Sequence, residues 1–431
     1  MRYVVRREHF GGLVYDKENY KYFYLDTLTA DLLKELSKGK DFGALSSRFH
    51  AEIDQEDYND FVEHCHEIQL INDGHQLNAQ TFWNESPPED RLNAPLIVFL
   101  EVTRRCNLAC QYCFTEKHRR KRLEVELDLP DFKRLFNEMS LLGVSELVIG
   151  GGEPTLREDL FEILESAKEN DLVTSITTNG TLVSPEIAKQ FATYSLRYIR
   201  VSLDGTEETN NSLRGKGAYE KAVRGISMLQ DAGNDVGLRM VLNAVTIDKI
   251  HESIEIAEQF GCKTLGISTI RPSGKALDNE YLYMLPKEEH YRAISEIMEL
   301  QKQTDVRLSL SEDCPYVEGL EAKSEDFNQF GSGFGCAATK TTCSIDPFGS
   351  VSPCGFIRGA IGDVHIGGNI KDQSLKEIWD ESASWRFMRS LEGNEKCNSC
   401  DHYTKCYGGC RSRAAAIYGD MNAPDPYCMY T

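Results

Sequence analysis

The chain has no apolar run of the ~18 residues that a membrane-spanning helix needs. Its amino terminus, MRYVVRREHF, is charged and lacks the apolar stretch of a secretory signal. These absences predict a soluble, cytoplasmic protein with no membrane partner. Positive charge is scarce too. Lys and Arg number 48 against 68 Asp and Glu, a formal net charge of -20. Such a balance does not hold nucleic acid or anionic membranes by electrostatics. The scattered histidines, among them His251, His365 and His402, form no metal-ligating pair. Hydrophobic residues make up 41% of the 431, enough for a sizeable core. At one domain per ~150 residues, the length suggests about three domains.

Cysteine, by contrast, is abundant, with 14 residues. A long chain without a signal is not a secreted disulfide scaffold. Clustered thiols in a reducing compartment instead bind metals or iron–sulfur clusters. Three cysteines fall between Cys106 and Cys113 and eight between Cys314 and Cys410. Cys65, Cys262 and Cys428 stand apart.

Residues 1–75 read as a small winged-helix-like unit. HFGGLVYD and YKYFYLD alternate as two strands around the turn KEN. LTADLLKEL, DFGALSSRF and DQEDYNDFVEHCHEIQLI then carry helical spacing, with Thr27 or Thr29 capping the first and Asp54 the third. Residues 76–95 lie in a polar, Pro-containing stretch that reads as a linker. Over 96–310 six apolar runs (LIVFLEV, SELVIG, LVTSITT, RYIRVSL, VGLRMVL, KTLGIST) alternate with amphipathic segments. Thr155 with Glu158 fits a capping box, and Ser184–Pro185 fits a cap and first turn. The fold class is therefore α/β, a partial (β/α)6 TIM-like barrel whose chemistry belongs at the carboxyl ends of the strands. Residues 311–431 are rich in Gly and Cys, with hairpin-like pieces such as SIDPFGSVSPC and little visible core. Metal clusters can supply the missing cross-links there.

EVTRRCNLACQYCF follows the first barrel strand and spaces Cys106, Cys110 and Cys113 as CxxxCxxC, with Tyr112 before the last thiol. Three thiolates around a four-iron cubane leave one iron open for a small ligand. The second strand ends in Gly150, Gly151, Gly152, Glu153 and Pro154. Glycines there let the backbone approach a neighbour closely. Thr178 and Asn179 end the third strand, and Ser202 and Asp204 the fourth. The basic run Arg119, Arg120, Lys121, Arg122 reads as a solvated loop. Farther on, Cys336 is followed by twelve residues, Gly349, four residues and Cys354. Cys397-x2-Cys400-x5-Cys406-x3-Cys410 and Cys428 complete the pattern.

On these motifs the chain resembles the radical S-adenosylmethionine superfamily, with the SPASM extension that carries two auxiliary 4Fe–4S clusters. The resemblance implies an enzyme binding S-adenosylmethionine and three 4Fe–4S clusters. It implies that the Cys106, Cys110 and Cys113 cluster cleaves the cofactor to a 5′-deoxyadenosyl radical. Tyr112, Gly151, Gly152, Glu153, Asn179, Ser202 and Arg214 are implied as cofactor contacts. Glu153 would meet the methionine ammonium and Arg214 the carboxylate. Cys336, Cys354 and Cys410 would hold the first auxiliary cluster. Its fourth ligand would be Cys314, with Cys343 as rival or an open iron as a third option. Cys397, Cys400, Cys406 and Cys428 would hold the second.

The amino-terminal unit resembles the recognition domain of enzymes that modify ribosomally made peptides. The implied activity is a peptide maturase forming thioether or carbon–carbon cross-links. The implied partners are a precursor peptide bound through residues 1–75 and a small electron donor such as flavodoxin or ferredoxin. An anaerobic sulfatase-maturase-like oxidase is a second reading. It is weakened by Gly355, where those relatives tend to carry an aspartate base. A non-catalytic Fe–S redox protein is a third, and it would need no cofactor groove.

Overall fold

A computed structural model describes residues 1–72, 76–115, 125–311, 336–362 and 365–430. Cys314 and the basic run 119–122 lie outside the described residues. The chain forms two compact units, Met1–Leu96 with Met139–Ser145, and Ile97–Glu138 with Glu146–Thr431. No helix among the described residues is long and apolar enough to cross a membrane.

The first unit is a four-stranded sheet with three helices. Strands β1 (Tyr3–Glu8), β2 (Gly11–Asp16) and β3 (Lys21–Leu25) precede α1 (Thr27–Leu36), α2 (Ser47–Glu52) and α3 (Gln55–Glu67), and β4 (Ala79–Phe82) follows. The strand order is β3-β2-β1-β4, which leaves β3 at one edge. The two strands and the first and third helices read from sequence are present; the second, expected over DFGALSSRF, is a 3-10 turn at Phe42–Ala44 followed by α2, and two further strands join them.

Charge concealed β1. Arg6 and Glu8 are buried and neutralise one another, and the Arg6 guanidinium also donates to the carbonyls of Ala94 and Pro95 at 2.9 and 3.2 Å. The segment read as a linker contains β4, which pairs in parallel with β1 from Tyr3–Ala79 to Arg6–Phe82. Its order comes from that partner, not from an alternation of its own. The cap of α1 is Asp26, which accepts from Thr29 N at 2.7 Å, and not Thr27 or Thr29. Asp54 caps α3 in a capping box with Asp57. Tyr3, Val5, Val14, Leu32, Leu33, Leu36, Phe49 and Cys65 share one core.

The second unit is built on a largely parallel sheet. Strands β5 (Ile97–Glu101), β6 (Glu146–Gly150), β7 (Val173–Thr178), β8 (Ile199–Ser202), β9 (Val236–Leu242), β10 (Thr264–Thr269) and β11 (Arg307–Ser311) lie side by side in chain order. Helices α4 (Leu129–Leu141), α5 (Leu160–Glu169), α6 (Pro185–Phe191), α7 (Glu207–Arg214), α8 (Ala218–Asp231), α9 (Ile250–Gln259) and α10 (Lys287–Leu300) connect them. The six expected strands are all present. A seventh, β11, extends the sheet beyond β10. Being an edge strand, β11 alternates as RLSLS and gives no continuous apolar run.

On the other side β5 pairs in parallel with β12 (Thr342–Ile345), followed by β13 (Ser350–Ser352) and β14 (Gly368–Asn369). The sheet stays open, with β11 and β14 at its edges. The expected hairpin SIDPFGSVSPC is the β12–β13 pair. The carboxyl-terminal region holds more core than its sequence suggests. Trp379 and Trp385 are fully buried there, each contributing at least the ~1.5–3 kcal/mol of a large buried side chain. Ser184 caps α6 through Ile187 N, with Pro185 in its first turn. The Thr155–Glu158 box is not formed. Thr155 lies in a 3-10 turn, its hydroxyl bonded to Glu153, and α5 begins after Asp159.

Candidate functional site

The cysteine loop leaves the carboxyl end of β5 and is clamped at once by the end of β6. Val102 N donates to Gly150 O, Gly152 N to Thr103 O and Glu153 N to Arg105 O, at 3.0, 2.7 and 2.7 Å. Such backbone pairing requires glycine. A Cβ on Gly151 would stand 2.5 Å from Thr103 O, and one on Gly152 2.2 Å from Arg105 O. Gly151 also holds φ at +142°, a value that side-chain-bearing residues rarely adopt. The neighbour that these glycines approach is therefore the chain leading into Cys106.

Glu153 fastens the third strand to this clamp. It is fully buried, and its carboxylate accepts from Thr155 N (3.2 Å), Thr155 Oγ1 (2.6 Å), Thr178 Oγ1 (2.6 Å) and Asn179 N (2.7 Å). Burial raises its pKa, and these donors oppose the rise. Asn179, held there, directs Nδ2 to Asn107 Oδ1 at 2.9 Å and to Cys106 Sγ at 3.9 Å.

Cys106, Cys110 and Cys113 are partly exposed and form no disulfide among the described residues. Burial pushes the Cys110 thiol up to about 11. Arg214 opposes the rise, while Cys113, Asp204 and Cys106 add to it. The three thiols thus sit within electrostatic reach of one another beside one cation. Leu108 N donates to Cys106 Sγ at 3.4 Å, the kind of contact that stabilises a thiolate.

Asp204, at the end of β8, organises the opposite wall. This buried carboxylate accepts from Tyr112 Oη, from Arg214 Nε at 2.7 Å and from Val241 N at 2.9 Å. The Arg214 guanidinium stands 5.5 Å over the Tyr112 ring. Burial disfavours the charge on Arg214, but Asp204, Tyr112 and Cys110 more than offset it and raise its pKa. Arg214 therefore stays cationic next to Cys110. Ser202, the last residue of β8, is half-buried on the sheet face that carries Arg200.

The carboxyl-terminal thiols gather in two groups. Cys354 begins the helix Gly355–Ile361, and Cys410 begins the helix Arg411–Tyr418. Cys336 and Cys354 pack against Ala338, Ile357, Met388, Ala415 and Met421, which come from both helices and their surroundings. Burial and Cys336 push the Cys354 thiol up to about 11. Burial, Cys428, Cys397 and Cys400 all raise Cys406, to about 11, with only the Gly408 amide opposing.

Cys343 is different. It is fully buried on β12 opposite Val98, and burial alone pushes it up to about 12. That is the setting of a core cysteine. Among the described residues no three His, Cys, Asp or Glu side chains converge on a point that suits a single metal ion. The all-thiol sets suit the wider cubane instead, because soft thiolates are the usual ligands of iron–sulfur clusters.

Asp204 was singled out in the sequence as a strand-end residue, without its partners. Two supporting groups escaped the sequence reading. Asp425 is one, three residues before Cys428. It accepts from Cys410 N at 2.6 Å, Arg413 Nη2 at 2.7 Å and Tyr427 N at 3.0 Å, and so ties the two thiol groups together. The other is Asp346, in the β12–β13 turn, which pairs with Arg358 and with Arg104 of the cysteine loop. Only the partner makes such a residue distinctive, and the partner is remote in sequence.

Residues 100–257 match the radical SAM superfamily, and residues 336–401 match the SPASM iron–sulfur cluster-binding domain. Mycofactocin maturase MftC of Mycolicibacterium smegmatis is 31% identical over 346 residues, covering 79% of this chain and 84% of that one. AdoMet-dependent heme synthase of Methanosarcina barkeri is 28% identical over 350 residues, covering 78% and 97%. Streptococcus suis SuiB bound to precursor peptide SuiA shares the fold, with a TM-score of 0.73 at 18% identity over 99% of this chain and 98% of that one. Thiols at a strand end, a glycine clamp beside them and relatives of this extent agree that the chain is an enzyme of the radical SAM superfamily with a SPASM iron–sulfur domain.

Proposed function

We propose that this enzyme is a peptide maturase that acts on a ribosomally made precursor and forms a thioether or carbon–carbon bond within it. When bound, S-adenosylmethionine and a reduced cluster supply a 5′-deoxyadenosyl radical that takes hydrogen from the substrate. Cys106, Cys110 and Cys113 are the ligands of that cluster. Arg214 is the carboxylate contact of the cofactor, since Nε is spent on Asp204 and both Nη groups lack a hydrogen-bond partner among the described residues. Glu153 acts mainly by holding Asn179 and Thr178 in place, its four protein donors leaving little capacity for an ammonium.

The observation that carries the peptide reading is the open edge of the amino-terminal sheet. Among the described residues β3 pairs only with β2, and Phe23 on it is 38% exposed. An extended leader can add a strand there, with backbone bonds giving affinity and side-chain pockets giving choice. The names of the mycofactocin maturase and of the SuiB–SuiA complex support the same reading. Phe23→Asp, tested by titrating a leader peptide into the full enzyme, is expected to weaken binding about tenfold or more. Unchanged affinity would remove the edge from the account.

Three 4Fe–4S clusters complete the proposal, with reducing equivalents from a small donor such as flavodoxin or ferredoxin in the cytoplasm. Anaerobically reconstituted enzyme should then carry about twelve irons per chain. Zinc at the carboxyl-terminal cysteines would contradict this. Asp425→Ala should release iron from the carboxyl-terminal sets, because it frees the Cys410 amide and strands a buried Arg413. Such a break costs about 3–5 kcal/mol. Denaturant titration and iron analysis check both effects, and an Asp425→Ala protein with full iron would deny Asp425 its organising role.

A further inference from the structure

The sheet face that carries Ser202 also carries two arginines, Arg200 and Arg239, that no carboxylate among the described residues holds in an ion pair. Strand alternation puts Arg200 and Ser202 of β8, Gly237, Arg239 and Val241 of β9, and Thr264, Gly266 and Ser268 of β10 on one side. Register brings them together, because Arg200 pairs with Gly237, Ser202 with Arg239, Arg239 with Gly266 and Val241 with Ser268. The alternate residues Val201, Leu238, Met240 and Ile267 are fully buried, whereas Arg200, Ser202, Arg239 and Val241 are partly exposed.

The two guanidinium side chains converge. A Cβ on Gly266 would come 3.7 Å from Arg239 Cγ and 3.9 Å from Arg200 Nε, so both lie over the same glycine. Arg239 Nη2 donates to Ser268 Oγ at 2.7 Å. Arg200 stacks its guanidinium 4.0 Å from the Tyr198 ring centre, and its buried Nε has no hydrogen-bond partner. The charged neighbours of this pair are mostly cations. Arg197 and Arg307 face Arg200, and Arg271 faces Arg239. Glu146 also faces Arg200, but it is paired with Arg197.

Burial and then Arg200 push Arg239 down to about 10, opposed in part by Tyr198, the reverse of the shift that Asp204 produces in Arg214. Guanidinium groups crowded on a partly enclosed face repel one another and lose hydration, which calls for a compensating charge. An anion from outside would relieve that cost. Planar guanidinium groups suit a planar, bidentate carboxylate in particular.

We propose that Arg200, Arg239 and Ser268 form a carboxylate-binding site for the substrate on the inner face of the sheet. The choice of substrate class rests on the peptide-maturase reading. In a peptide the carboxylate has two sources, the chain terminus and an Asp or Glu side chain. The site would hold the peptide at a fixed point within the sheet, while the residue to be modified lies toward the strand ends and the cofactor.

The test uses reconstituted full-length enzyme without reductant, measured first without and then with S-adenosylmethionine. Three probes are titrated by ligand-observed NMR: Ac-Ala-Ala-Ala-OH, Ac-Ala-Glu-Ala-NH2 and the neutral Ac-Ala-Ala-Ala-NH2. At least one acidic probe should bind about tenfold or more tightly than the neutral one. Which acidic probe wins identifies the source of the carboxylate. Arg239→Gln and Arg200→Gln should each remove most of the preference, and either variant suffices if the other does not fold.

Equal binding of all three probes to wild type would overturn the site. So would a preference that survives in a folded variant. Loss of the preference on adding S-adenosylmethionine would assign the arginines to the cofactor and overturn it equally. Failure of the peptide-maturase reading looks different: a precursor peptide stays unmodified while the acidic preference persists.

Discussion

Enzyme in which Cys106, Cys110 and Cys113 are replaced together by alanine should form no 5′-deoxyadenosine from S-adenosylmethionine and dithionite. The expectation follows from how the loop is built. Its entry is pinned by backbone bonds to Gly150, Gly152 and Glu153, and its far wall by Tyr112 on Asp204. These contacts do not use the thiols, so the loop should keep its course without them. What disappears is the set of ligands, and with it the electron source for breaking the sulfonium bond. The loss should reach the assay background, a fall of roughly 10³ or more by analogy with removal of other essential catalytic groups. The same variant should retain about eight irons if the auxiliary thiols fill independently. Undiminished 5′-deoxyadenosine would place the cofactor chemistry elsewhere in the chain.

Deletion of residues 1–95 should spare cofactor cleavage without peptide but reduce peptide modification by about 10² or more at subsaturating precursor. The cut falls after β4 for a structural reason. A cut at residue 75 would remove β1, the partner of β4, and expose Ala79–Phe82 as an unpaired strand. The size of the effect comes from tethering. A leader held by one module presents the attached core peptide at an effective concentration in the millimolar range, and that gain disappears with the module. Initial rates with full-length precursor and with the leaderless core peptide check the argument. If the shortened enzyme matched wild type on full-length precursor, substrate selection would have to lie in the sheet of the second unit.

Much of this organisation is legible in the sequence, and the exceptions have physical causes. The strands of a parallel sheet covered by helices are rich in apolar residues even where one face is partly open, so β5 to β10 were readable from their residues alone. β1 was not, because Arg6 and Glu8 cancel each other's charge inside the core. Nor was β4, a polar segment ordered by its neighbour. The cysteine motifs were legible because a cluster fixes the spacing of its ligands along the chain.

Side-chain partners were not legible. The donors that Glu153 accepts from, Thr155, Thr178 and Asn179, come from the following 3-10 turn and from the end of β7, and the expected contact with an ammonium group gives no sign of them. Arg214, expected at the cofactor carboxylate, also gives its Nε to Asp204, a partner that the spacing does not announce. Cys343 sits in the core, which spacing cannot reveal. The convergence of Arg200 and Arg239 depends on strand register, and register emerges only when β8, β9 and β10 are paired.

The central claim is that hydrogen passes from a precursor peptide to a radical made at the Cys106, Cys110 and Cys113 cluster. The measurement that reaches it most directly uses the precursor peptide, produced in perdeuterated form. Reconstituted enzyme, S-adenosylmethionine and dithionite are added anaerobically, and 5′-deoxyadenosine and peptide are analysed by mass spectrometry. The account predicts that 5′-deoxyadenosine gains deuterium in proportion to modified peptide. Unlabelled 5′-deoxyadenosine beside an unchanged peptide would contradict it.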